Sequence, residues 1–275
     1  GAELARIEAR IAFEELLANH LAVRQRRERR DALSAQSIQA STEFWPRLRD
    51  ALGFTLTDAQ IRSIDEIVAD LGKPTPSLRL LQGDVGCGKT VVAAAAVLAA
   101  IEGGQQAVVM APTELLAEQH LRVFSGWFEK VGIKPVWLSG RISQRERRAV
   151  CEQLSSGAAR VVVGTHAVFQ DDVSYYNLGL VVVDEQHRFG VAQRLALREK
   201  GQREGSAPHQ IIMSATPIPR SLTMVMYADM DLSVIDEMPP GRQPVETVVL
   251  PNTRREDVQA RIREACARER RAYWV

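Results

Sequence analysis

The sequence GDVGCGKT at residues 83–90 directly follows the apolar run LRLLQ at residues 78–82 and precedes the alanine-rich stretch at residues 91–100. It matches the pattern G-x-x-x-x-G-K-[ST], which forms a phosphate-binding loop when it joins a strand to a helix. Glycine relaxes the limits on backbone angles, so successive N–H groups can surround an anion at the positive end of the helix. The stretch therefore predicts a strand–loop–helix unit that binds a nucleoside triphosphate.

Each residue of this loop is a candidate nucleotide contact. The candidates are Gly83, Asp84, Val85, Gly86, Cys87, Gly88, Lys89 and Thr90. Lys89 is expected to reach the outer phosphates and the Thr90 hydroxyl to hold Mg²⁺. Cys87 is expected to be a small filler. The alternative interpretation is a glycine-rich turn ahead of a buried alanine-rich helix.

The composition restricts the class of protein. Of 275 residues, 45% are apolar and 25% charged, and the net charge is +1, which is an ordinary globular mixture without a global basic field. The three cysteines form no C-x-x-C pair, so neither a disulfide framework nor a zinc site is indicated. The first thirty residues are too charged for a signal peptide, and the longest apolar run is too short to span a bilayer. A cytoplasmic protein without a membrane partner is expected.

The distribution of apolar residues predicts the order of elements. A helix is expected over residues 3–30, ending in an arginine cluster, and a connector with short helices over 31–55. Strands are predicted at Leu78–Gln82, Ala107–Ala111, Pro135–Leu138, Arg160–Gly164, Leu178–Val183 and Gln210–Ser214. Helices are predicted at 58–71, 89–102, 114–131, 142–156, 188–200 and 217–228. This alternation predicts an α/β fold whose parallel sheet is covered by helices on both faces.

The pattern restarts after Pro239-Pro240-Gly241. A strand at 245–250, an arginine-rich helix at 253–271 and a strand at 272–275 are predicted. Such a piece is too small to hold its own core, so it is interpreted as the beginning of a second, truncated lobe. The predicted domains are therefore a helical linker at 1–55, a nucleotide-binding domain at 56–241 and the start of another domain at 242–275.

Two adjacent carboxylates, Asp184 and Glu185, follow the apolar run 180–183. At a strand end beside a phosphate loop, Asp184 can hold Mg²⁺ while Glu185 orients and deprotonates the attacking water. Two acids are needed because the metal occupies one. The alternative is that they only cap the strand end.

Two hydroxyl residues, Ser214 and Thr216, follow another apolar run. They can hydrogen-bond the acidic cluster and relay its state. The alternative is a turn that caps the helix opened by Pro217.

The motifs together carry a family resemblance. GDVGCGKT, APTELLAEQH (111–120), VVGTHAV (162–168), DEQHRFGV (184–191) and SATPIPR (214–220) resemble helicase motifs I, Ia, Ib, II and III of superfamily two, in order and spacing. DMDLSVIDEMPPGR (229–242), together with DEQHRFGV, resembles the RecG family of bacterial ATP-dependent branch-migration helicases. The transcription-repair coupling translocases share several of these runs and are the alternative within the superfamily.

The resemblance implies a RecA-like P-loop NTPase with ATP and Mg²⁺ as cofactors. Gln60 resembles the glutamine that reads the adenine edge; a polar residue on a helix face is the alternative. Residues Pro112, Thr113, Thr165, His166 and Arg188 resemble nucleic-acid contacts. His187 resembles the residue that links hydrolysis to DNA, and a buried structural histidine is the alternative for both histidines.

The resemblance also implies a substrate and partners. Branched or forked DNA is the expected substrate, and a wedge domain and a complete second lobe are the expected partners. Without the arginines of the second lobe, this chain is expected to bind ATP weakly, hydrolyse it slowly and unwind no DNA alone. A non-motor nucleotide-binding module, a P-loop kinase and a GTPase are the alternatives from other classes; the N-K-x-D guanine reader of a GTPase is absent from the sequence.

Overall fold

The chain divides into a large unit, Gly1–Pro240, and a small unit, Gly241–Val275. The computed structural model describes residues 10, 13–18, 20–22, 24–25, 28, 32–39, 43–184, 206–215, 230–240 and 247–274. The described residues between 10 and 28 are helical, in agreement with the predicted N-terminal helix. Among the described residues, no helix combines the length and the hydropathy needed to cross a membrane.

A parallel seven-stranded sheet forms the centre of the large unit, in the order β3-β4-β2-β5-β6-β1-β7. Its strands are β1 (Leu78–Gly83), β2 (Gln106–Met110), β3 (Val136–Leu138), β4 (Val161–Gly164), β5 (Leu178–Asp184), β6 (His209–Ser214) and β7 (Asp231–Ile235). The predicted α/β class with a parallel sheet is confirmed. The six predicted strands agree with β1–β6 to within about one residue at each end, and β7 was not predicted.

Five described helices of the large unit are α1 (Phe44–Ala51), α2 (Asp58–Leu71), α3 (Lys89–Glu102), α4 (Glu114–Phe128) and α5 (Gln144–Ser155). The predicted bounds of α2 and α3 are confirmed at both ends. The helix predicted over 114–131 finishes as a 3₁₀ turn, Glu129–Val131. The helices predicted at 188–200 and 217–228 lie outside the described residues.

Side-chain caps explain where several helices begin. Thr57 and Gln60 form a reciprocal capping box at α2, and Ser143 and Glu146 form another at α5. Thr113 accepts a hydrogen bond from the Leu116 N–H at the start of α4. Each cap satisfies backbone donors that a helix leaves unpaired at its first turn. The helix predicted at 142–156 begins two residues later than expected, after the Ser143 cap.

The sheet carries one apolar cluster on each face, because successive strand side chains point to opposite sides. Val109 and Val182 belong to the cluster under α1–α4, while Val108 and Val181 belong to the cluster under α5 and the turn His166–Phe169. This arrangement gives the three layers that were predicted. In helix α3 every residue from Val91 to Ile101 is buried.

The small unit contains a 3₁₀ turn, Asn252–Arg254, followed by α6 (Arg255–Ala267). The predicted strands at 245–250 and 272–275 are wrong over their described residues, 247–250 and 272–274, which have no regular structure. A strand requires a neighbour for its backbone groups, and no described residue pairs with these segments. Their side chains remain largely in solvent; Val249 is 93% exposed.

Candidate nucleotide and nucleic-acid site

The carboxyl ends of the strands meet at one edge of the sheet because all the strands are parallel. This edge is where open α/β sheets bind ligands. The strand register places Gln82 beside Ser214, Asp184 beside Met213, and Gly83 beside Ile235. The three predicted chemical motifs begin at Gly83, Asp184 and Ser214. They therefore start at the ends of the neighbouring strands β1, β5 and β6.

The phosphate loop connects β1 to α3 through two left-handed glycines. Gly86 has φ +80° and Gly88, the N-cap of α3, has φ +94°. A Cβ on Gly88 would collide with the Gln60 amide nitrogen. The backbone angle therefore favours glycine there, and a larger residue would also have to displace the Gln60 amide.

Lys89 folds back over the loop. Its Nζ donates hydrogen bonds to the carbonyl oxygens of Gly83 at 2.6 Å and Asp84 at 3.0 Å. Thr90 follows in the first turn of α3 and is half-buried. The tip of the loop is open to solvent, where Val85 is 69% exposed. The Lys89 ammonium is therefore held against the base of the loop, while the tip of the loop is exposed.

Gln60 is buried beside the phosphate loop and supports it through a hydrogen bond. It is 2% exposed, its Nε2 donates to the Cys87 carbonyl at 2.7 Å, and its Oε1 accepts from the Thr57 N–H at 3.0 Å. Both ends of the amide are therefore engaged within the protein. Recognition of adenine by Gln60 stays a prediction, and this support of the loop is a second role that sequence reasoning did not foresee.

Cys87 points into the protein beneath the loop. It is 1% exposed, and a Cβ on Gly83 would lie 2.5 Å from its Sγ. Burial raises the pKa of the Cys87 thiol. These contacts agree with the expected role of a small filler.

Asp184 ends β5 and is held by a partner that the sequence did not reveal. His120 Nε2 lies 2.7 Å from Asp184 Oδ2, so the imidazole N–H donates to the carboxylate. His120 is 7% exposed and stacks on Phe124 with ring centroids 6.0 Å apart. The sequence signal that could have identified His120 is its spacing, because Ala117, His120 and Phe124 fall on one buried face of α4.

The oxygen donors at this edge suit Mg²⁺. A carboxylate from Asp184 and a hydroxyl from Thr90 are hard ligands, and Mg²⁺ commonly binds through one or two such groups together with substrate phosphates and water. No group of three His, Cys, Asp or Glu side chains among the described residues could hold a metal ion by itself. The residues thus fit a metal that arrives with a nucleotide.

The remaining predicted catalytic and coupling residues lie at or after the ends of β5 and β6 in the sequence. Ser214 is buried at the end of β6. Glu185, Thr216, His187 and Arg188 lie outside the described residues, so their predicted roles stay predictions.

Four of the predicted nucleic-acid contacts follow the ends of β2 and β4. Pro112 is half-buried, Thr113 is exposed and also caps α4, and His166 is exposed. Thr165 is only 4% exposed, and its N–H donates to the Leu138 carbonyl at 3.3 Å. Of this set, Thr113 and His166 are the residues most open to a ligand.

A family model and several relatives match this chain. The DEAD/DEAH box helicase family matches residues 57–225. ATP-dependent DNA helicase RecG of Pasteurella multocida (strain Pm70) and that of Escherichia coli (strain K12) are each 52% identical over 97% of this chain. The corresponding helicase of Aquifex aeolicus (strain VF5) is 41% identical over 97%. The chain spans 38% of the length of the first two relatives and 33% of the third.

Solved structures of helicases also match this chain. A structure of RecG bound to a three-way DNA junction superimposes with a TM-score of 0.85 and 39% identity, covering 94% of this chain and 34% of that chain. The DEAD-box helicase Mss116 bound to ssRNA superimposes with a TM-score of 0.62 at 17% identity, covering 84% of this chain and 52% of that chain. The second likeness shows a shared fold.

Proposed function

Because the chain belongs to the DEAD/DEAH box helicase family, we propose that it is the ATP-binding motor lobe of a RecG-type helicase that remodels forked and branched DNA. The resemblance to RecG expected from the motifs is confirmed by 52% identity over 97% of the chain. The alternative of a transcription-repair coupling translocase is not favoured by these relatives.

One observation carries the proposal. The phosphate loop, with Lys89 at its foot, and the carboxylate of Asp184 lie on strand ends of one parallel sheet edge. Catalysis of phosphoryl transfer depends mainly on positioning and on stabilising charge. A loop of N–H groups, one lysine and one metal-binding carboxylate are the parts that such a site requires from its first lobe.

The chain's own residues would act on ATP as follows. The loop N–H groups and Lys89 bind the phosphates, while Thr90 and Asp184 hold Mg²⁺, which neutralises phosphate charge when bound. His120 orients the Asp184 carboxylate. By resemblance, Glu185 positions the attacking water, Ser214 and Thr216 relay the state of the acids, and His187 couples hydrolysis to DNA.

Nucleic acid would bind along the ends of β2 and β4. Thr113 and His166 offer exposed polar groups, Pro112 shapes the turn, and Thr165 acts from beneath through the backbone of its turn. Arg188 completes the set by resemblance. Such contacts to phosphates position a strand without reading its sequence, as expected of a motor that moves along DNA.

The proposed partners are those that the resemblance to RecG implies, and the RecG relatives are longer than this chain. A wedge domain would separate the strands at a junction, and a second motor lobe would close on the nucleotide and supply arginines to it. Contributions of that kind are typically worth about 10³–10⁵ in rate. The bacterial cytoplasm, where branched DNA arises, is the proposed location.

Binding of a fluorescent ATP analogue tests the proposal first. ATP–Mg²⁺ should compete better than GTP–Mg²⁺, and Lys89→Ala should raise the Kd about 10- to 100-fold, because a charge-assisted contact to phosphate is lost. Lys134→Ala, which removes an exposed lysine after α4, is the matched control. Equal competition by GTP, or equal Kd values for the two lysine variants, would contradict the proposal.

Turnover is the second measurement. ATP hydrolysis by the chain alone should stay near background with or without forked DNA. Strong DNA-stimulated turnover that is lost in Glu185→Gln would mean that the site is completed without a separate second lobe, and that part of the proposal would be wrong.

A further inference from the structure

The end of β7 and the two residues after it are hydrogen-bonded to the first two turns of α2. The Arg62 guanidinium donates to the Val234 carbonyl at 3.1 Å and to Asp236 Oδ1 at 2.9 Å. Glu237 Oε2 accepts a hydrogen bond from the Ala59 N–H at 3.2 Å. We refer to residues 234–237 as the exit segment, because the chain leaves the large unit shortly after them, at residue 240.

The same turn of α2 holds the phosphate loop. Gln60, the residue after Ala59, donates to the Cys87 carbonyl at 2.7 Å. The exit segment and the loop are therefore bonded to adjacent residues of one helix. They also meet directly through the sheet, where Ile235 pairs with Gly83 and a Cβ on Gly83 would lie 3.0 Å from the Ile235 carbonyl oxygen.

The far end of α2 cannot move easily. Asp70 is buried there and receives a 2.6 Å hydrogen bond from Arg79 Nε at the start of β1. Arg79 also donates to Ser233 of β7 at 2.9 Å. Because these contacts fix the carboxyl end of the helix, a change at Ala59 is expected to be felt locally, at Gln60, rather than as a shift of the whole helix.

The Glu237 carboxylate suits its position electrostatically. It lies at the amino end of α2, where negative charge interacts favourably with the helix dipole and with unpaired N–H groups. Thr57 and Gln60 already cap this end, so Glu237 is not needed to begin the helix. Its contact adds a tie between the first turn and the exit segment.

We propose that Glu237 and Arg62 are positioning residues for the phosphate loop: they hold the first turn of α2 so that Gln60 fixes the Cys87 carbonyl. The coupling is reciprocal, as any binding linkage must be, so a bound nucleotide also steadies the exit segment. This inference rests on the proposed function, since it assumes that the loop binds a nucleotide. It adds a path from that loop to the point where the chain leaves the large unit.

The main alternative is that these contacts only anchor the edge strand β7. In that case their loss would lower the free energy of unfolding without changing how tightly a nucleotide binds. The two possibilities therefore differ in the Kd measured on folded protein, and not in stability alone.

The test measures the Kd of a fluorescent ATP analogue with Mg²⁺, alongside urea unfolding. Glu237→Ala and Arg62→Gln should each weaken binding about two- to fivefold, the size of a carboxylate–helix-end interaction. Glu237→Gln keeps an acceptor for the Ala59 N–H and should recover part of the loss. Asp65→Asn, which removes an exposed charge from the same helix, is the control and should bind as the parent does.

A double substitution separates a path through α2 from independent effects. Gln60→Ala removes the link to Cys87, so adding Glu237→Ala to it should weaken binding by less than the product of the two single effects. In hydrogen exchange, saturating nucleotide should protect the amides of residues 236–238, which precede two prolines, in the parent and protect them less in Gln60→Ala.

The outcomes are distinguishable. If the parent's binding is absent or does not depend on Lys89, the proposed function fails and this inference fails with it. If binding depends on Lys89, but Glu237→Ala and Arg62→Gln bind like Asp65→Asn, only the inference is overturned. Additive effects of Gln60→Ala and Glu237→Ala, with unchanged exchange at residues 236–238, would also overturn it.

Discussion

The two halves of the sheet's carboxyl edge are built differently. In the nucleotide half, at the ends of β1, β5, β6 and β7, side chains hold one another or the backbone: Lys89 bonds two carbonyls, Gln60 bonds a third, and His120 bonds Asp184. In the open half, at the ends of β2, β3 and β4, Thr113 and His166 are exposed.

This difference matches the two kinds of ligand proposed. A small, charged ligand that must be held in a reactive geometry gains from groups that are already fixed, because no reorganisation is then needed. A long phosphodiester chain makes many similar contacts, so exposed groups spaced along strand ends are sufficient. If the halves are separable, a substitution in one half should leave ligand binding at the other half unchanged.

The largest effect is expected at Gly164, the last residue of β4, in the open half. A Cβ on Gly164 would collide with the Leu138 carbonyl of β3, and backbone cannot yield as a side chain can. Gly164→Ala should lower the free energy of unfolding by about 3 kcal/mol, measured by urea denaturation. Gly140→Ala, whose new methyl group meets nothing within 4 Å, should cost far less. Equal losses would contradict the close approach of β3 and β4.

The next largest effect concerns the hydrogen bond to Asp184. His120→Leu leaves this mostly buried carboxylate without its donor, so the Mg²⁺ concentration required for nucleotide binding should rise about tenfold. Binding of nucleotide without Mg²⁺ should change little. His120→Gln offers an amide donor, so the Mg²⁺ concentration that it requires should lie between those of the parent and His120→Leu. If all three proteins show the same Mg²⁺ dependence, His120 does not orient the carboxylate.

A smaller effect is expected in the open half. His166→Ala should weaken binding of forked DNA about two- to fivefold, because one polar contact is lost among many. The Kd for nucleotide should not change, which is the clearest sign that the halves are separable. Gln119→Ala, which removes an exposed side chain from α4, is the control. A loss of nucleotide binding in His166→Ala would contradict the division.

The smallest effect is a pH dependence located away from both halves. His209 begins β6, is 1% exposed, and its Nδ1 lies 3.2 Å from the Ser77 N–H. Burial lowers the pKa of His209 below its usual 6.5. Between the lowered pKa and 6.5 the unfolded chain binds more protons, so stability should fall as pH drops below about 6.5.

His209→Asn keeps an acceptor for the Ser77 N–H but cannot be protonated in this range. Its free energy of unfolding, followed from pH 7 to pH 5, should fall less steeply than that of the parent. Parallel pH profiles for the two proteins would show that His209 contributes nothing to the dependence.

Local signals explain what could be predicted from the sequence. Helix α2 was predicted from its apolar pattern, and the capping box of Thr57 and Gln60 in the structure coincides with that start. The phosphate loop could be predicted because its spacing is specific. The bond between His120 and Asp184 joins residues 64 positions apart, and no pattern in the sequence pairs them. The same holds for Glu237 and Ala59, which meet only because β7 lies beside β1.

The errors have a physical cause as well. The run 231–235 begins with aspartate and contains Ser233, so it looks weakly strand-like; pairing with β1 and the hydrogen bond between Ser233 and Arg79 make it a strand. The reverse holds at 247–250 and 272–274, where β-branched and aromatic residues suggested strands. Propensity alone does not order a segment that lacks a neighbour.

The burial of Cys87 provides a natural reporter of loop motion. Its thiol is 1% exposed behind the phosphate loop, and only the thiolate reacts readily with alkylating agents. Because burial raises the pKa of Cys87, alkylation requires a transient opening of the loop that exposes the thiol to solvent. The rate at which iodoacetamide modifies Cys87, relative to the exposed Cys266, would therefore report the frequency of loop opening. A bound ligand that closes the loop would lower this rate.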